Sequence, residues 1–358
     1  MTPRVGARTL LRWVVWSMLA HRGAWAARRR LLSKSDHKWW RGQLAPANAT
    51  LPIPKKFVFV HIPKAAGDSF MHDAPAHMPG GSTLVGSHET SALSSTTLRR
   101  MGKTGVRVGI FRHPVRLAFS QFVFCKYVMP KTSKEFPRGE RGRARGGGGR
   151  DVAAGLDAWV RHFHDPRATH SFNCYNPRDI QYRYAATRGV AIGPGRPEAD
   201  APRARASARH ALEKNFWFVG VVEAYRETMC LFRYWTTRAR PPAYCACAAP
   251  EAAADGAVAL SNITHNTPAH STARLDAELV AGLRSLAPVD LMLYAHALHL
   301  LDAQSGVVER ETGVAVLCPE KREALWASVL EDICGPDTPR DVAQALAVLY
   351  KRKCPREP

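Results

Sequence analysis

Three short apolar runs alternate with stretches of helical periodicity along the chain. They lie at residues 57–60, 106–111 and 216–222, and each is rich in β-branched or aromatic side chains. Such runs are typical of buried strands. Strands that alternate with helices form parallel sheets, because the chain must cross back over the sheet between them. The pattern therefore predicts an α/β fold with a parallel sheet flanked by helices.

The three predicted strands fall within residues 55–303, which we expect to form the main domain. Two segments inside it do not have the pattern of a packed element. Residues 138–150 consist mostly of Gly and Arg and predict a basic surface insertion. A second insertion, rich in Ala, Arg and Pro, is predicted at about residues 193–207.

The C-terminal part of the chain is predicted to be helical. Apolar residues over 275–302 follow a helical spacing that is interrupted at Pro288. Two further helices are predicted at 321–333 and 340–350. We assign residues 304–358 to a C-terminal helical extension.

Residues 1–54 are predicted to form a targeting or anchor segment followed by a stem. The first acidic residue is Asp36, and the basic residues before it surround a short apolar patch at residues 13–20. This patch is shorter than the roughly 20 residues that a membrane span needs. A signal peptide, a membrane anchor and an organelle transit peptide are all compatible with the pattern.

The composition excludes disorder of the whole chain and describes a basic protein. In 358 residues, 51 Lys and Arg face 30 Asp and Glu, giving a net charge of +21, and 46% of residues are hydrophobic. A basic surface attracts polyanions, which include nucleic acid, anionic membranes, nucleotides and acidic polysaccharides. Charge alone does not choose among these partners.

The eight cysteines are too few for a disulfide scaffold in a chain of this length. Cys245 and Cys247 form a C-x-C pair with no second pair beside it, so we predict no zinc or other metal site. Two N-x-[ST] acceptors, at Asn48 and Asn262, would be glycosylated only in a secretory compartment.

The segment 57–70 joins the first predicted strand to a predicted helix through a loop of small residues. The loop contains Lys64 and is followed by Ser69. Successive backbone N–H groups in such a loop favour a phosphate, and a lysine adds a positive charge beside it. The segment has no G-x-x-x-x-G-K-[ST] sequence, so it is not a Walker A loop.

The segment 108–122 repeats this arrangement at the second predicted strand. Arg112 ends the strand, Pro114 opens a helix, and Ser120 lies about two turns into that helix. The planar guanidinium of an arginine and the hydroxyl of a serine can together hold a second phosphate.

Together the two segments resemble the cofactor-binding signatures of sulfotransferases that use 3′-phosphoadenosine 5′-phosphosulfate (PAPS). Residues 61–70, HIPKAAGDSF, are similar to that family's HIPKTGGTSF, and residues 112–120, RHPVRLAFS, are similar to its R-D-P-V-x-R-x-x-S. Residues 215–223 are similar to its later strand of F-x-F-V-G-x-x-E type. The resemblance extends over about residues 57–302 and is closest to membrane-anchored carbohydrate sulfotransferases, among them the heparan sulfate 2-O and 6-O enzymes.

The resemblance implies a single sulfotransferase domain with a P-loop-like sheet, PAPS as co-substrate and no metal. Lys64 would stabilise the leaving group, and Arg112 and Ser120 would hold the 3′-phosphate. The loop that binds the 5′-phosphosulfate would comprise Lys64, Ala65, Ala66, Gly67, Asp68 and Ser69.

The resemblance also implies a histidine base in the loop after the first helix, and His88 is the best match. A neutral imidazole can accept a hydroxyl proton near pH 7. The departures from the family pattern include Asp68 in place of Thr, Ala65 and Ala66 in place of a T-G pair, and Leu117 in place of the second Arg of the clamp.

These residues predict transfer of a sulfuryl group from PAPS to a carbohydrate hydroxyl, on a glycan or polysaccharide in the Golgi membrane or lumen. No nucleic-acid partner is expected. Two alternatives stay open at this point: a basic nucleic-acid-binding protein, and a nucleotide kinase of related fold. For the location, import into an organelle by a transit peptide is the alternative.

Overall fold

Four parallel strands form the sheet in the part of the chain that the computed structural model describes, which comprises residues 53–86, 105–128, 153–165, 174–186, 201–247, 249, 269–334, 340–352 and 354. They are β1 (Lys56–Val60), β2 (Thr83–Gly86), β3 (Val106–Phe111) and β4 (Phe218–Val221). The predicted α/β fold with a parallel sheet is thereby confirmed. The sequence pattern did not mark β2 as a strand, because its four residues alternate between exposed and half-buried positions.

The order of the strands, β2-β1-β3-β4, places a switch point between β1 and β3. From β1 the chain continues to β2 on one side, whereas β3 lies on the other side of β1. Val60 at the end of β1 pairs with Gly109, and Phe111 at the end of β3 pairs with Val221. In open α/β sheets such a switch point leaves a crevice at the carboxyl ends of the strands, where ligands bind. The loops that follow β1 and β3 lie at this crevice.

Helices flank the sheet. In the described ranges the α-helices are α1 (Gly67–Asp73), α2 (Pro114–Tyr127), α3 (Leu156–His164), α4 (Ile180–Ala186), α5 (Ala201–Asn215), α6 (Tyr225–Thr237), α7 (Ala277–Ser285), α8 (Pro288–Thr312), α9 (Pro319–Ile333) and α10 (Arg340–Leu349). Both α6 and α8 pack against β4, and α8 also packs against α5. The helices predicted around Pro288 and in the C-terminal region are present.

An aromatic cluster fixes α1 against the sheet. The ring of Phe232, on α6, lies 6.0 Å from Phe57, 5.1 Å from Phe70 and 5.2 Å from Phe218. Phe70 belongs to α1, and its ring also lies 4.6 Å from Phe59 of β1. All five side chains are fully buried. Because α1 directly follows the β1 loop, the packing of α1 in this core also fixes the position of the C-terminal end of that loop.

A second hydrophobic cluster holds α2, the helix that follows β3. Phe119 and Phe122 on α2 pack with Trp159 of α3 and Leu283 of α7. The Phe122 and Trp159 rings lie 5.7 Å apart. This face of α2 is committed to the core, so a different face is left for the crevice.

The structure corrects the extent of the second predicted insertion. Residues from Ala201 onward form α5, although the Ala/Arg/Pro-rich insertion was predicted to reach residue 207. Ala and Arg are strong helix formers, and a proline is tolerated in a first helical turn. The other predicted insertion, at 138–150, lies outside the described residues.

The C-terminal helices are built onto the same body as the sheet. Helix α8 runs through the predicted boundary between residues 303 and 304 without a break, and α9 packs against it. All the described residues belong to one compact unit that spans Pro52–Pro358. The predicted targeting segment 1–54 lies almost entirely outside the described residues.

All eight cysteines are paired in disulfides, although the fold itself is built on a sheet and a hydrophobic core and not on a disulfide scaffold. The pairs are Cys125–Cys174, Cys230–Cys245, Cys247–Cys318 and Cys334–Cys354. The two cysteines of the C-x-C sequence thus have different partners. Disulfides are typical of secreted and lumenal proteins. Among the described helices, none combines the length and the apolar character that crossing a membrane would require.

Candidate functional site

The loop between β1 and α1 contains two residues in the left-handed backbone region. Lys64 has a φ of 67° and Ala66 a φ of 57°, values that residues other than Gly rarely adopt. The Ala65 N–H donates to the Ile62 carbonyl at 3.1 Å, and the Ala66 carbonyl accepts from the Phe70 N–H at 3.0 Å. Strained residues of this kind cluster at binding sites, where the surrounding structure must hold them.

Gly67 begins α1 directly against the ring of His61. A Cβ atom on Gly67 would lie 2.0 Å from both Cδ2 and Nε2 of that ring, so no larger residue fits. His61 is itself largely buried, with its ring 5.7 Å from Phe59. The imidazole forms one wall of the loop and lets the start of α1 approach the end of β1.

Lys64 is held in the crevice by its side chain and by its carbonyl. Its Nζ lies 4.2 Å from the centre of the Phe124 ring on α2. An aromatic face attracts a cation but leaves its charge intact. The Lys64 carbonyl accepts a hydrogen bond from Nη1 of Arg112 at 2.9 Å. The two sequence-predicted segments are therefore in direct contact.

Arg112 is the residue on which the two loops converge. Its backbone N–H donates to Oε1 of Gln181, and its carbonyl accepts from Nε2 of Gln181, each at 2.8 Å. Burial lowers the pKa of its guanidinium, the charge of Glu223 opposes this, and the nearby charge of Arg116 lowers the pKa further. An arginine remains cationic despite such shifts, so a second positive charge lies beside Lys64.

One face of α2 lines the crevice. Arg116, Ser120 and Phe124 follow one another at intervals of four residues, which places them on one side of a helix. Ser120 is 3% exposed, whereas Arg116 is exposed in the first turn. The neighbouring Gln121 donates from Nε2 to the Pro63 carbonyl at 3.4 Å, and its Oε1 is buried without a hydrogen-bond partner. Phe124, on the same face as Arg116 and Ser120, contacts Lys64, so this face adjoins the β1 loop.

Arg116 was not among the residues that the sequence analysis singled out. Leu117, which stands where the resembled family has its second arginine, is 1% exposed and belongs to the core. The helical phase assigns the crevice to position 116 instead, four residues before Ser120. That spacing was visible in the sequence and was the signal for it.

Asp68 and Ser69 lie in the first turn of α1, and both are half-buried. A carboxylate is electrostatically favourable in a first helical turn, because the N–H groups there have no partner within the helix. The position of Asp68 thus gives a reason why a negative charge is tolerated where the resembled family has Thr.

His113 anchors the β3 loop to the C-terminal helices. Its backbone N–H donates to Oε1 of Glu223 at 3.0 Å, and Oε2 of Glu223 accepts from the Tyr294 hydroxyl at 2.9 Å. The His113 ring lies 3.3 Å from the Ser328 carbonyl and 3.5 Å from Asp332, both on α9. A carbonyl only accepts, so Nε2 carries the proton in that hydrogen bond. Burial lowers the pKa of His113 to about 4, so the imidazole is neutral near pH 7.

Several sequence-predicted residues lie outside the described ranges. They are His88, which was assigned as the base, and the glycosylation acceptors Asn48 and Asn262. Within the described ranges, no cluster of three or more His, Cys, Asp or Glu residues is placed to hold a metal ion.

Comparisons with protein-family models, with curated proteins and with solved structures give no match for this chain. The resemblance therefore rests on the residues of the two strand-end segments. Their geometry can be stated independently of it. Two cationic loops meet at a switch point of a parallel sheet, and a buried serine and an exposed arginine lie on the adjoining helix face. Such a site can bind a small molecule with two anionic groups.

The left-handed backbone at Ala66 predicts opposite effects of two similar substitutions. Ala66→Gly should stabilise the fold by about 0.5–1 kcal/mol. Glycine removes a strain of roughly 1–2 kcal/mol from the left-handed backbone of the folded state, and the greater entropy of the unfolded glycine chain offsets part of this gain. Ala65→Gly, where φ is not positive, should destabilise by about 0.5–1 kcal/mol. Urea unfolding of the oxidised proteins measures both. Equal losses for the two variants would contradict the strain at Ala66.

The lowered pKa of His113 predicts a loss of stability in mild acid. The unfolded chain binds a proton below pH 6.5 and the folded chain only near pH 4, so stability falls as the pH drops through this window. This histidine should contribute about 2 kcal/mol to the loss between pH 7.5 and 5. Urea unfolding at both pH values should show that the free energy of unfolding of His113→Gln falls by about 2 kcal/mol less than that of the wild type. His299→Gln is the matched control, since burial lowers the pKa of His299 to about 4 as well. This variant should lose only the contribution of His299 to the fall in stability and keep that of His113.

Proposed function

We propose that this chain is a PAPS-dependent sulfotransferase that transfers a sulfuryl group to a hydroxyl of a carbohydrate. The observation that carries the proposal is the hydrogen bond from Arg112 to the Lys64 carbonyl. It unites two segments that lie far apart in the sequence, at the point of the sheet where a ligand crevice is expected. Each segment was singled out by its similarity to a different part of one nucleotide-binding site.

The residues at the crevice fit a nucleotide with two separate anionic groups. Lys64, Ser69 and the backbone of the β1 loop would hold the 5′-phosphosulfate. Arg112, Arg116 and Ser120 would hold the 3′-phosphate, since guanidinium and hydroxyl groups are suited to phosphate oxygens. The orphaned Oε1 of Gln121 lies on the same helix and could accept from a ligand hydroxyl or amine.

Lys64 would act on the charge that develops during transfer. In an in-line reaction the acceptor oxygen forms a bond to sulfur while the bond from sulfur to the bridging oxygen of the phosphate breaks. Negative charge accumulates on that bridging oxygen, and 3′,5′-ADP leaves. A lysine ammonium that lies over an aromatic ring keeps its positive charge and can stabilise this oxygen. Sulfuryl groups carry less charge than phosphoryl groups, so fixed cations suffice.

The acceptor hydroxyl must also lose its proton, and we assign this step to His88. A neutral imidazole near pH 7 takes the proton as the new oxygen–sulfur bond forms. The described histidine at the β3 loop, His113, does not suit this role. Its Nε2 is bonded to the Ser328 carbonyl in the protein interior.

An acidic glycan is the acceptor class that the charge favours. The chain has a net charge of +21, and Arg116 is an exposed cation at the rim of the crevice. Polyanions are drawn to such a surface by long-range attraction that salt screens. Four disulfides suit an oxidising lumen. We therefore propose action on glycans in the Golgi lumen.

Sulfate transfer from labelled PAPS to a panel of glycans tests the activity. Lys64→Ala should lower kcat roughly 10²–10³-fold, as loss of a transition-state charge does. His88→Ala should lower kcat roughly 10²-fold or more and leave 3′,5′-ADP binding unchanged. Arg112→Ala and Arg116→Ala should weaken 3′,5′-ADP binding, Arg112→Ala by about 10–100-fold.

Arg161→Ala is the matched control, because Arg161 is an exposed arginine of α3 that pairs with Asp157. It should leave transfer and binding unchanged. If the wild-type chain binds 3′,5′-ADP no better than Arg112→Ala does, the proposed nucleotide site is wrong. Phosphate transfer from ATP, or salt-sensitive binding to RNA with no sulfate transfer, would favour one of the two alternatives instead.

Glycosidase sensitivity tests the proposed compartment. A chain that enters the secretory lumen should carry glycans at Asn48 or Asn262, and their removal should shift its mobility on a gel. Asn48→Gln with Asn262→Gln is the control and should abolish the shift. An unshifted wild-type chain that isolated organelles import would contradict a Golgi location.

A further inference from the structure

Gln181 holds both sides of the Arg112 peptide although it lies outside the two signature segments. It belongs to α4, and its side chain is fully buried. Oε1 accepts from the Arg112 N–H and Nε2 donates to the Arg112 carbonyl, each at 2.8 Å. The Gln181 amide thus pairs with the N–H and the carbonyl of Arg112 as the backbone of a neighbouring β-strand would. Only Asn and Gln side chains carry a neutral acceptor and donor that are fixed side by side.

Gln181 is itself fixed by the buried side chain of Asp290. The backbone N–H groups of Gln181 and Tyr182 donate to the two oxygens of Asp290 at 3.0 and 2.7 Å. In return, Asp179 accepts from the N–H groups of Val289 and Asp290 at 2.8 and 3.0 Å. Each aspartate thus caps the first turn of the other's helix. These hydrogen bonds hold the first turns of α4 and α8 against each other and thereby fix the backbone from which the Gln181 side chain extends.

We propose that Gln181 is the positioning residue of the anion site. It fixes the peptide of Arg112 so that the guanidinium extends from the end of β3 to the Lys64 carbonyl. A chain of hydrogen bonds then runs from Asp290 through Gln181 and Arg112 to the β1 loop. Without the amide, the Arg112 peptide would lose both partners and its side chain would no longer start from a fixed point. This inference rests on the proposed function, because it takes the anion to be the 3′-phosphate of the nucleotide.

A second buried glutamine separates a positioning role from a merely structural one. Gln304, on α8, is 2% exposed and donates from Nε2 to the carbonyls of Val219 and Leu300, each at 3.1 Å. Like Gln181, it is a buried amide that holds a strand of the sheet. It does not contact either loop of the crevice in these hydrogen bonds. Replacement of either glutamine by Met removes buried hydrogen bonds at nearly constant volume.

The test measures 3′,5′-ADP binding by calorimetry on the full, oxidised chain, together with thermal unfolding. Gln181→Met should raise the Kd for 3′,5′-ADP at least 10-fold. Gln304→Met should lower the Tm by a similar amount and leave the Kd unchanged. Gln181→Glu keeps the size and an acceptor but loses the Nε2 donor, so its Kd should lie between those of wild type and Gln181→Met. Gln181→Glu also replaces Gln181→Met as the test variant if the Met variant does not fold.

A double-mutant cycle supplies the sharper measurement. In an Arg112→Ala background, Gln181→Met should produce no further change in the Kd, because the amide acts only through Arg112. Equal effects of Gln181→Met in both backgrounds, or an equal rise in Kd for Gln304→Met, would overturn the positioning role. Wild-type binding with an unchanged Gln181→Met variant would overturn it too, while leaving the proposed function in place. Absence of 3′,5′-ADP binding by the wild-type chain would instead overturn the proposed function and, with it, this inference.

Discussion

The hydrogen bond from the Arg112 guanidinium to the Lys64 carbonyl joins the loops that follow β1 and β3. It is available because β1 and β3 are adjacent and parallel, in a register that pairs Val60, the last residue of β1, with Gly109 near the end of β3. The loops after them therefore emerge side by side, although their residues lie nearly fifty positions apart in the sequence. Every other feature of the crevice is arranged around this contact.

The β1 loop reaches this contact through an unfavourable backbone. Lys64 and Ala66 both adopt positive φ values, and neither is the glycine that such positions favour. The packing around the loop must therefore hold it in place. His61 lies against Gly67 on one side, and the aromatic core anchors α1 through Phe70 on the other. The carbonyl of Lys64 faces Arg112 because of this strained turn.

The C-terminal half of the chain contributes to the same site from a distance. Glu223 and α9 hold His113, while α8 holds Gln181 through Asp290. Salt bridges from Lys321 to Glu227 and from Arg284 to Asp332 join α9 to α6 and α7. The residues beyond 303, which the sequence analysis treated as an extension, thus contact the β3 loop through Ser328 and Asp332, which lie against the ring of His113. Loss of this region would remove part of the support for Arg112.

The sequence by itself determined the local features of this protein. The apolar runs identified β3, β4 and all of β1 except Lys56, and the segments after β1 and β3 pointed to Lys64, Arg112 and Ser120. The strand and helix predictions are confirmed because strand burial and helix phase depend on neighbours within a few residues. The four-residue spacing of Arg116 and Ser120 carried the same kind of information.

Only the tertiary structure decided which distant residues meet. Cysteine pairing, the order of the strands and the partners of Arg112 all join positions that are far apart in the chain. Gln181 is the clearest case, because its local sequence does not show that its amide meets the backbone of Arg112. Its role arises when α4, β3 and α8 pack together and bury the Arg112 peptide, whose N–H and carbonyl must then find partners.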